Sequence, residues 1–313
     1  MAYASAILAS PANRKTSLVA IRRAADYSAD LANLLFETLL EFNPAVRDKT
    51  VLLKPNLVGH DPRGITNTHP ALIMAARECF HRLGAREVVI AEGPATDRDT
   101  ESILESTGLR GYLGRTNGEF VDLNVDDVHA VALRTRASRL KQISLPSTVL
   151  RADFIVSLPK MKTHHWAGVT LSLKNLFGIV PGCCYGWPKN ILHWAGISRV
   201  ILDLASTVSP DFSIVDGIVG MEGDGPLEGF PKTSGVIVMG DDAVAVDATC
   251  ARVMGLRPER IDYLERAGLL LGNLKEDKIL QLGESVAECR APYKVVPAFH
   301  ALKSDISPAG RVE

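Results

Sequence analysis

The sequence predicts an α/β protein: mostly parallel sheets with flanking helices, as one large domain or two closely packed lobes with a site between them. Three observations lead there. Apolar runs of strand length alternate with amphipathic runs of helix length. Proline, glycine and Asp/Asn residues punctuate the boundaries between them. Polar residues gather directly after the strand runs, where α/β proteins bind ligands.

The elements follow in order. Residues 1–10 are apolar but lack a basic segment ahead of them, so they read as a first strand rather than a signal peptide. Residues 51–54 read as a strand. Residues 70–83 read as a helix, with Pro70 at its first position and Leu72, Ile73, Ala76, Phe80 and Leu83 at helical spacing. Gly84 stops it. Residues 87–91 are the next strand and 99–107 a short helix. This βαβ order implies parallel strands with right-handed crossovers. Residues 117–146 hold shorter strands, with 131–133 and 142–145 as hairpin partners. Residues 154–158 open a second unit, followed by a helix over 197–208 and a strand over 212–215 that ends at Asp216. A strand over 235–239 precedes a helix over 243–254, with Asp241 as its cap. Beyond Glu276 a small strand region and a polar tail are expected. The predicted division is a first α/β unit over 1–115, connecting strands over 116–150 and a second unit over 151–313.

Composition narrows the function classes. The 313 residues are 46% hydrophobic and 23% charged, as in ordinary globular proteins. A net charge of −1 offers no electrostatic footprint for nucleic acid or an acidic membrane. No apolar run approaches the roughly 20 residues of a membrane-spanning helix. The five cysteines are dispersed without a CxxC, which rules out an intrinsic ferredoxin-type cluster and fits a reducing cytoplasm. Cys183-Cys184 sits in a Gly/Pro loop and could be reactive.

Candidate chemistry concentrates between residues 152 and 195. Lys160, Lys162, Lys174, His164, His165, His193, Thr170 and Asn175 all follow the apolar strand at 154–158. Burial lowers a lysine pKa and makes it a candidate base, and histidine already titrates near neutrality. On a strand, His164 and His165 point to opposite sides, so one of them is expected to face the site. If helical, Thr170 and Lys174 share a face; a structural salt bridge is the bland reading of Lys174. His193 follows the loop 181–188, which could act as a lid. Upstream, Lys54 and Asn56 leave a strand, and Thr66 and Thr68 precede a helix start suited to carboxylate or phosphate. Simple capping is the alternative for Thr68 and His69. Downstream, residues 216–229 read as a glycine-rich acidic loop, in which Asp216, Glu222 and Asp224 could orient a cation or hold a metal.

Several segments together carry a family resemblance: Leu53-Lys-Pro-Asn-Leu57, Thr68-His-Pro70, Leu158-Pro-Lys-Met-Lys-Thr-His164, Thr170-Leu-Ser-Leu-Lys-Asn-Leu-Phe-Gly178, His193, Asp216-Gly-Ile and Met221-Glu-Gly-Asp-Gly-Pro226, with Asp241 to Asp247. On these the chain resembles the domain-of-unknown-function 362 (DUF362) family. Many members carry ferredoxin-like cysteine motifs, which this chain lacks. A more distant similarity is to the nickel-pincer lactate racemase family, through His165-Trp-Ala-Gly168, Lys174, Pro181-Gly182 and His193. That resemblance implies a cofactor bonded to Lys174, nickel ligated by His193 and proton transfer by His165. The sequence departs from it by placing Ser-Leu-Lys-Asn where those proteins approach the lysine through glycines.

The leading expectation is an enzyme of small, carboxylate-bearing substrates acting by proton transfer next to a carbonyl or carboxylate, as a racemase, epimerase or other isomerase. Lys54, Asn56, Thr66, Thr68, Lys160, Thr170 and Asn175 would hold the substrate. Lys162, His164 or His165 would serve as acid and base, with His193 closing the site and Lys174 stabilising negative charge. The cofactor is expected to be none or a metal ion. No nucleic-acid or membrane partner is expected, and a homodimer is left open. Two other classes remain: a redox accessory protein that docks a separate iron–sulfur partner, and a non-catalytic anion- or metabolite-binding module.

Overall fold

A computed structural model describes residues 16–96, 99–116 and 118–304. The strands are β1 Ser17–Arg23, β2 Thr50–Pro55, β3 Glu87–Glu92, β4 Phe120–Asp122, β5 Val128–Ala132, β6 Gln142–Pro146, β7 Phe154–Leu158, β8 Lys160–His164, β9 Gly168–Thr170, β10 Phe212–Glu222, β11 Phe230–Gly240 and β12 Ile279–Gly283. The helices are α1 Leu31–Phe42, α2 Pro70–Arg82, α3 Thr100–Ser106, α4 Leu109–Arg115, α5 Ser147–Arg151, α6 Ser172–Asn175, α7 Gly182–Tyr185, α8 Asn190–Trp194, α9 Ile197–Thr207, α10 Ala243–Val253 and α11 Asp262–Leu270. Among the described residues one sheet runs β12-β1-β11-β10-β7-β2-β3-β4, with β8 on β10 and β9 on β8. Its half from β10 to β4 is parallel, whereas β11 lies antiparallel to both β10 and β1. The expected α/β class with a mostly parallel sheet is present. The hairpin of β5 and β6 pairs Val131 with Ile143.

Alternation along the strands builds two cores. Val51, Leu53, Phe154 and Val156 pack on one face with Leu35 of α1 and Ile73 and Phe80 of α2. Leu52 and Ile155 point to the other face, against Leu204 of α9, Val246 of α10 and Leu264 of α11. Strands covered on both faces need near-continuous apolar sequence, which residues 51–53 and 154–158 supply. From β2 the chain crosses to β3 on one side; from β7 it leads on to β10 on the other. The β2–β7 boundary is therefore a topological switch point, where strand ends splay and leave a crevice.

Several expectations change. Residues 1–10 lie outside the described residues; the first described strand is Ser17–Arg23, held between β11 and β12. The first half of the expected glycine-rich loop at 216–229 is strand. β10 runs on through Glu222 past a bulge between Gly217 and Val219, and only the stretch up to Phe230 turns. An added Cβ at Gly217 would lie 2.8 Å from the Met161 side chain, so these glycines permit close packing. Thr170 and Lys174 do not share a helix face, because Thr170 ends β9 and helix begins at Ser172. The cap of α10 is Asp242 rather than Asp241. Its carboxylate accepts from the Val244 and Ala245 amides at 2.9 and 3.1 Å, from Ser17 Oγ at 2.5 Å and from the Asn273 amide at 2.9 Å.

Replacing Asp242 by Ala removes a cap and strands two further donors. A loss of about 2 kcal/mol or more in unfolding free energy is expected in urea titrations. Asp242→Asn should recover part of it. An unchanged midpoint in Asp242→Ala would contradict the capping role.

Candidate functional site

At the switch point a buried ion pair ties three elements together. Lys54 of β2 donates to the Glu92 carboxylate at the end of β3, to Asn175 Oδ1 at 3.0 Å and to the Pro55 carbonyl at 2.9 Å. Both charged side chains are sealed from solvent. Glu92 also accepts from the Gly93 amide at 2.9 Å, and Asn175 Nδ2 donates to the Lys54 carbonyl and Ser157 Oγ, both at 3.0 Å. Burial pulls the Lys54 pKa down, and Glu92 offsets part of that pull. Gly178 covers the pair: a side chain there would overlap Glu92 and Lys54. A buried pair of this kind is tolerable because its lone pairs and protons find partners.

Above this platform lies a cavity of about 200 Å³. Its polar lining includes Asn56, Glu92, Lys162, His164, His165, Thr170, Lys174, Asn175, Lys189 and His193; Leu57, Val58, Phe177, Pro226 and Leu227 supply apolar wall. Two buried polar atoms of the lining, Asn56 Oδ1 and Thr170 Oγ1, have no hydrogen-bond partner. Such atoms are costly unless a ligand or water completes them.

The three histidines divide between two tautomers, assigned by their hydrogen bonds. His164 Nδ1 accepts from the Trp166 and Ala167 amides at 3.0 and 3.2 Å, so its neutral ring carries the proton on Nε2. Burial, then Lys174, holds its pKa well below the usual histidine value. His193 Nδ1 lies 3.2 Å from the Lys189 carbonyl, which makes Nδ1 the donor and leaves a lone pair on Nε2. Burial and Lys174 lower its pKa to about 4. His165 Nδ1 pairs with Asp224 at 3.1 Å at the exposed rim, which likewise frees Nε2. Both His164 and His165 therefore line the cavity.

The lysines divide just as sharply. Lys162 Nζ donates to the Thr66 carbonyl at 2.7 Å, and burial with neighbouring Lys174 and Lys160 lowers its pKa well below the usual value. Lys189 Nζ donates to the Gly93 carbonyl at 2.7 Å; burial lowers its pKa to about 7 against the pull of Glu92. The Lys174 side chain makes no hydrogen bond or ion pair among the described residues. Its Nζ lies over the Phe177 ring, 4.3 Å from the centroid. Burial, then Lys54 and Lys189, lowers its pKa to about 7, although Glu92 opposes this. The alternative reading of Lys174 as a structural salt bridge finds no ion pair for it among the described residues.

Seven expected residues lie outside the cavity lining: Lys54 and Asp224, described above, and Lys160, Asp216, Thr66, Thr68 and Glu222. Lys160 and Asp216 form their own buried pair at 2.8 Å, with Tyr27 hydroxyl bonded to both. Asp216 also accepts from the His69 amide at 3.0 Å, so the start of α2 already holds a carboxylate from within the chain. His69 Nδ1 caps that helix at the Ala71 amide. Thr68 Oγ1 is consumed by the Leu158 carbonyl and the Asn56 amide, and Thr66 serves Lys162 through its backbone. Glu222 accepts from the Lys294 amide at 2.9 Å. Asp216, Glu222 and Asp224 thus face three different sets of partners. Among the described residues no group of three or more His, Cys, Asp and Glu side chains could hold a metal ion.

Sequence reasoning missed Glu92 and Lys189. A carboxylate directly after the apolar run 88–91 was a usable signal for Glu92. Lys189 had none: it sits in a loop with φ 66°, and only the fold turns it inward.

Residues 51–252 match the model of the family described as "Domain of unknown function (DUF362)". A thylakoid-associated protein of Synechocystis sp. is 28% identical over 268 residues, covering 80% of this chain and 79% of that protein. Among solved structures, the lactate racemase apoprotein from Thermoanaerobacterium thermosaccharolyticum is similar with a TM-score of 0.46 and 15% identity, over 79% of this chain. A structural-genomics protein from Thermotoga maritima is similar with a TM-score of 0.41 and 14% identity, over 72% of this chain. The chain spans 59% and 58% of those two chains. Among the described residues no helix is long and apolar enough to cross a membrane.

The lowered Lys174 pKa has a stability consequence. Below pH 7 the folded and unfolded states both carry the charge, and folding bears the full cost of burying it. Between about pH 7 and the unfolded value near 10.4 the unfolded state binds the extra proton, so folded stability rises with pH. Lys174→Met should therefore be more stable than the wild type at pH 6, with the advantage shrinking towards pH 10. Urea titrations across that range check this; a pH-independent difference would contradict it.

Proposed function

We propose that this chain, which belongs to the DUF362 family, is an enzyme that transfers a proton at a carbon next to the carbonyl or carboxylate of a small anionic substrate. One observation carries the reading. A lysine amine without an acceptor, two histidines with a free Nε2 and one histidine fixed as an Nε2–H donor line a single cavity at the sheet's switch point.

Each group has a role that follows from its surroundings. The charged forms of Lys162 and Lys189 draw a carboxylate into the cavity, where apolar walls strengthen the attraction. His193, neutral above about pH 5, offers Nε2 as the base. His165, oriented by Asp224, offers a second Nε2 at the rim and can return a proton. Two proton-carrying groups are what a racemase or epimerase needs. His164 donates its Nε2–H to the oxygen on which negative charge develops; taking a second proton would break two backbone hydrogen bonds. Lys174 stabilises the same charge. Asn56 Oδ1 and Thr170 Oγ1 would bond a substrate hydroxyl or amine.

The cavity does not fit the nickel-pincer group that the more distant resemblance implies. Lys174 and His193 supply the right donor types, with a free amine and a free Nε2. The space does not fit: at about 200 Å³ the cavity lies below the roughly 300–1,000 Å³ of sites for larger ligands, and it must also admit the substrate. A reducing, cytoplasmic setting agrees with five cysteines that are all free.

The test is deuterium wash-in from heavy water into a panel of small 2-hydroxy, 2-amino and 2-oxo acids, followed by NMR. Exchange is expected with at least one of them, falling about 10²–10⁴-fold in His193→Asn. Equal exchange in the wild type and His193→Asn would remove the base from the account.

A further inference from the structure

We propose that Lys174 is an imine-forming nucleophile, and that the substrate is a small 2-oxo acid with a short apolar tail. The inference rests on the proton-transfer reading of the cavity and replaces the electrostatic role of Lys174 with a covalent one.

The first support is a contrast among the lysines gathered here. Lys54 is tied to Glu92, Asn175 and the Pro55 carbonyl, Lys160 to Asp216 and Tyr27, Lys162 to the Thr66 carbonyl and Lys189 to the Gly93 carbonyl. Each of these amines is held by an oxygen acceptor. Among the described residues the Lys174 amine has none, and it lies over the face of the Phe177 ring. A lysine meant as a fixed cation is normally given acceptors, because a buried ammonium without them is costly. A lysine meant to attack a carbonyl must instead keep a lone pair and room to move. Desolvation and nearby cations are the two devices that free such a lone pair, and both surround Lys174.

The second support is the make-up of the cavity lining. It combines cationic and imidazole groups with the apolar side chains of Leu57, Val58, Pro226 and Leu227. A carboxylate beside a carbonyl suits the former, and a short alkyl tail suits the latter. The volume limits the ligand to a few heavy atoms beyond the 2-oxo acid itself.

The chemistry balances without any other reactant. The Lys174 lone pair adds to C2 of the 2-oxo acid, and a proton moves from nitrogen to oxygen to give a carbinolamine. The hydroxyl leaves as water with a proton supplied by the Lys189 ammonium, and an iminium forms. Its positive charge acidifies the hydrogens on C3. His193 Nε2 takes one of them, leaving an enamine. Reprotonation at C3 and hydrolysis return the 2-oxo acid and the free lysine.

Reductive trapping tests this on the full chain. The protein is incubated with pyruvate, glyoxylate or 2-oxobutyrate and sodium borohydride, then digested and mapped by mass spectrometry. The expected result is one secondary-amine adduct, on the peptide holding Lys174, which Lys174→Arg lacks. Absence of an adduct with all three acids, or an adduct equally abundant in Lys174→Arg, would overturn the proposal. Wash-in at C3 of pyruvate and 2-oxobutyrate, followed in parallel, separates the two readings. Exchange without an adduct overturns the imine and leaves proton transfer standing. An adduct on Lys174 without exchange supports the imine and removes proton transfer.

Discussion

The ion pair between Lys54 and Glu92 is the constraint on which the rest of the cavity depends. It joins the ends of two parallel strands, and Asn175 fastens the 168–178 segment to Lys54 of β2 and Ser157 of β7. Separating those charges would leave an uncompensated charge in a dry interior, a change that typically costs about 3–5 kcal/mol. The pair therefore fixes where Lys174 and Phe177 can lie. Gly178 belongs to the same device, because only a residue without a side chain lets the backbone pass over the carboxylate. Gly93 completes it, donating its amide to the Gly178 carbonyl at 3.0 Å.

A second consequence is electrostatic. Lys54, Lys162, Lys174 and Lys189 crowd around Glu92, which is already committed to Lys54. Positive charge is in excess, and burial makes each charged amine more costly. The structure relieves this by giving Lys162 and Lys189 carbonyl acceptors and by lowering the proton affinity of Lys174 and Lys189. The histidines respond to the same field: His164 and His193 are both pushed towards their neutral forms by burial and by Lys174. A cavity of neutral imidazoles and readily neutralised amines is suited to moving protons and to receiving an anion.

Much of the parallel half of the sheet was legible in the sequence. β2, α2, β3 and β7 have local signatures: apolar runs, Pro70 at a helix start and Gly84 at its end. β1 was missed because its partners, β11 and β12, lie more than 200 residues away and leave no local trace. The far half of β10, residues 216–222, was read as loop because glycine usually marks turns; here Gly217 and Gly220 make room for Met161 and Tyr293. Of the site, Lys162, His164, His165, Lys174, Asn175 and His193 were legible as a dense polar run after a strand. The division of the lysines into paired and unpaired was not legible, because carbonyl acceptors such as those of Thr66 and Gly93 belong to the backbone fold rather than to any motif.

The central claim is that Lys174 stands in the cavity with an amine that loses its proton near neutrality. The most direct measurement is an NMR titration of the Lys174 side chain, with the Cε resonance assigned by comparison with Lys174→Met. The account predicts a midpoint of about 7. A midpoint near the ordinary lysine value of about 10.4 would contradict it.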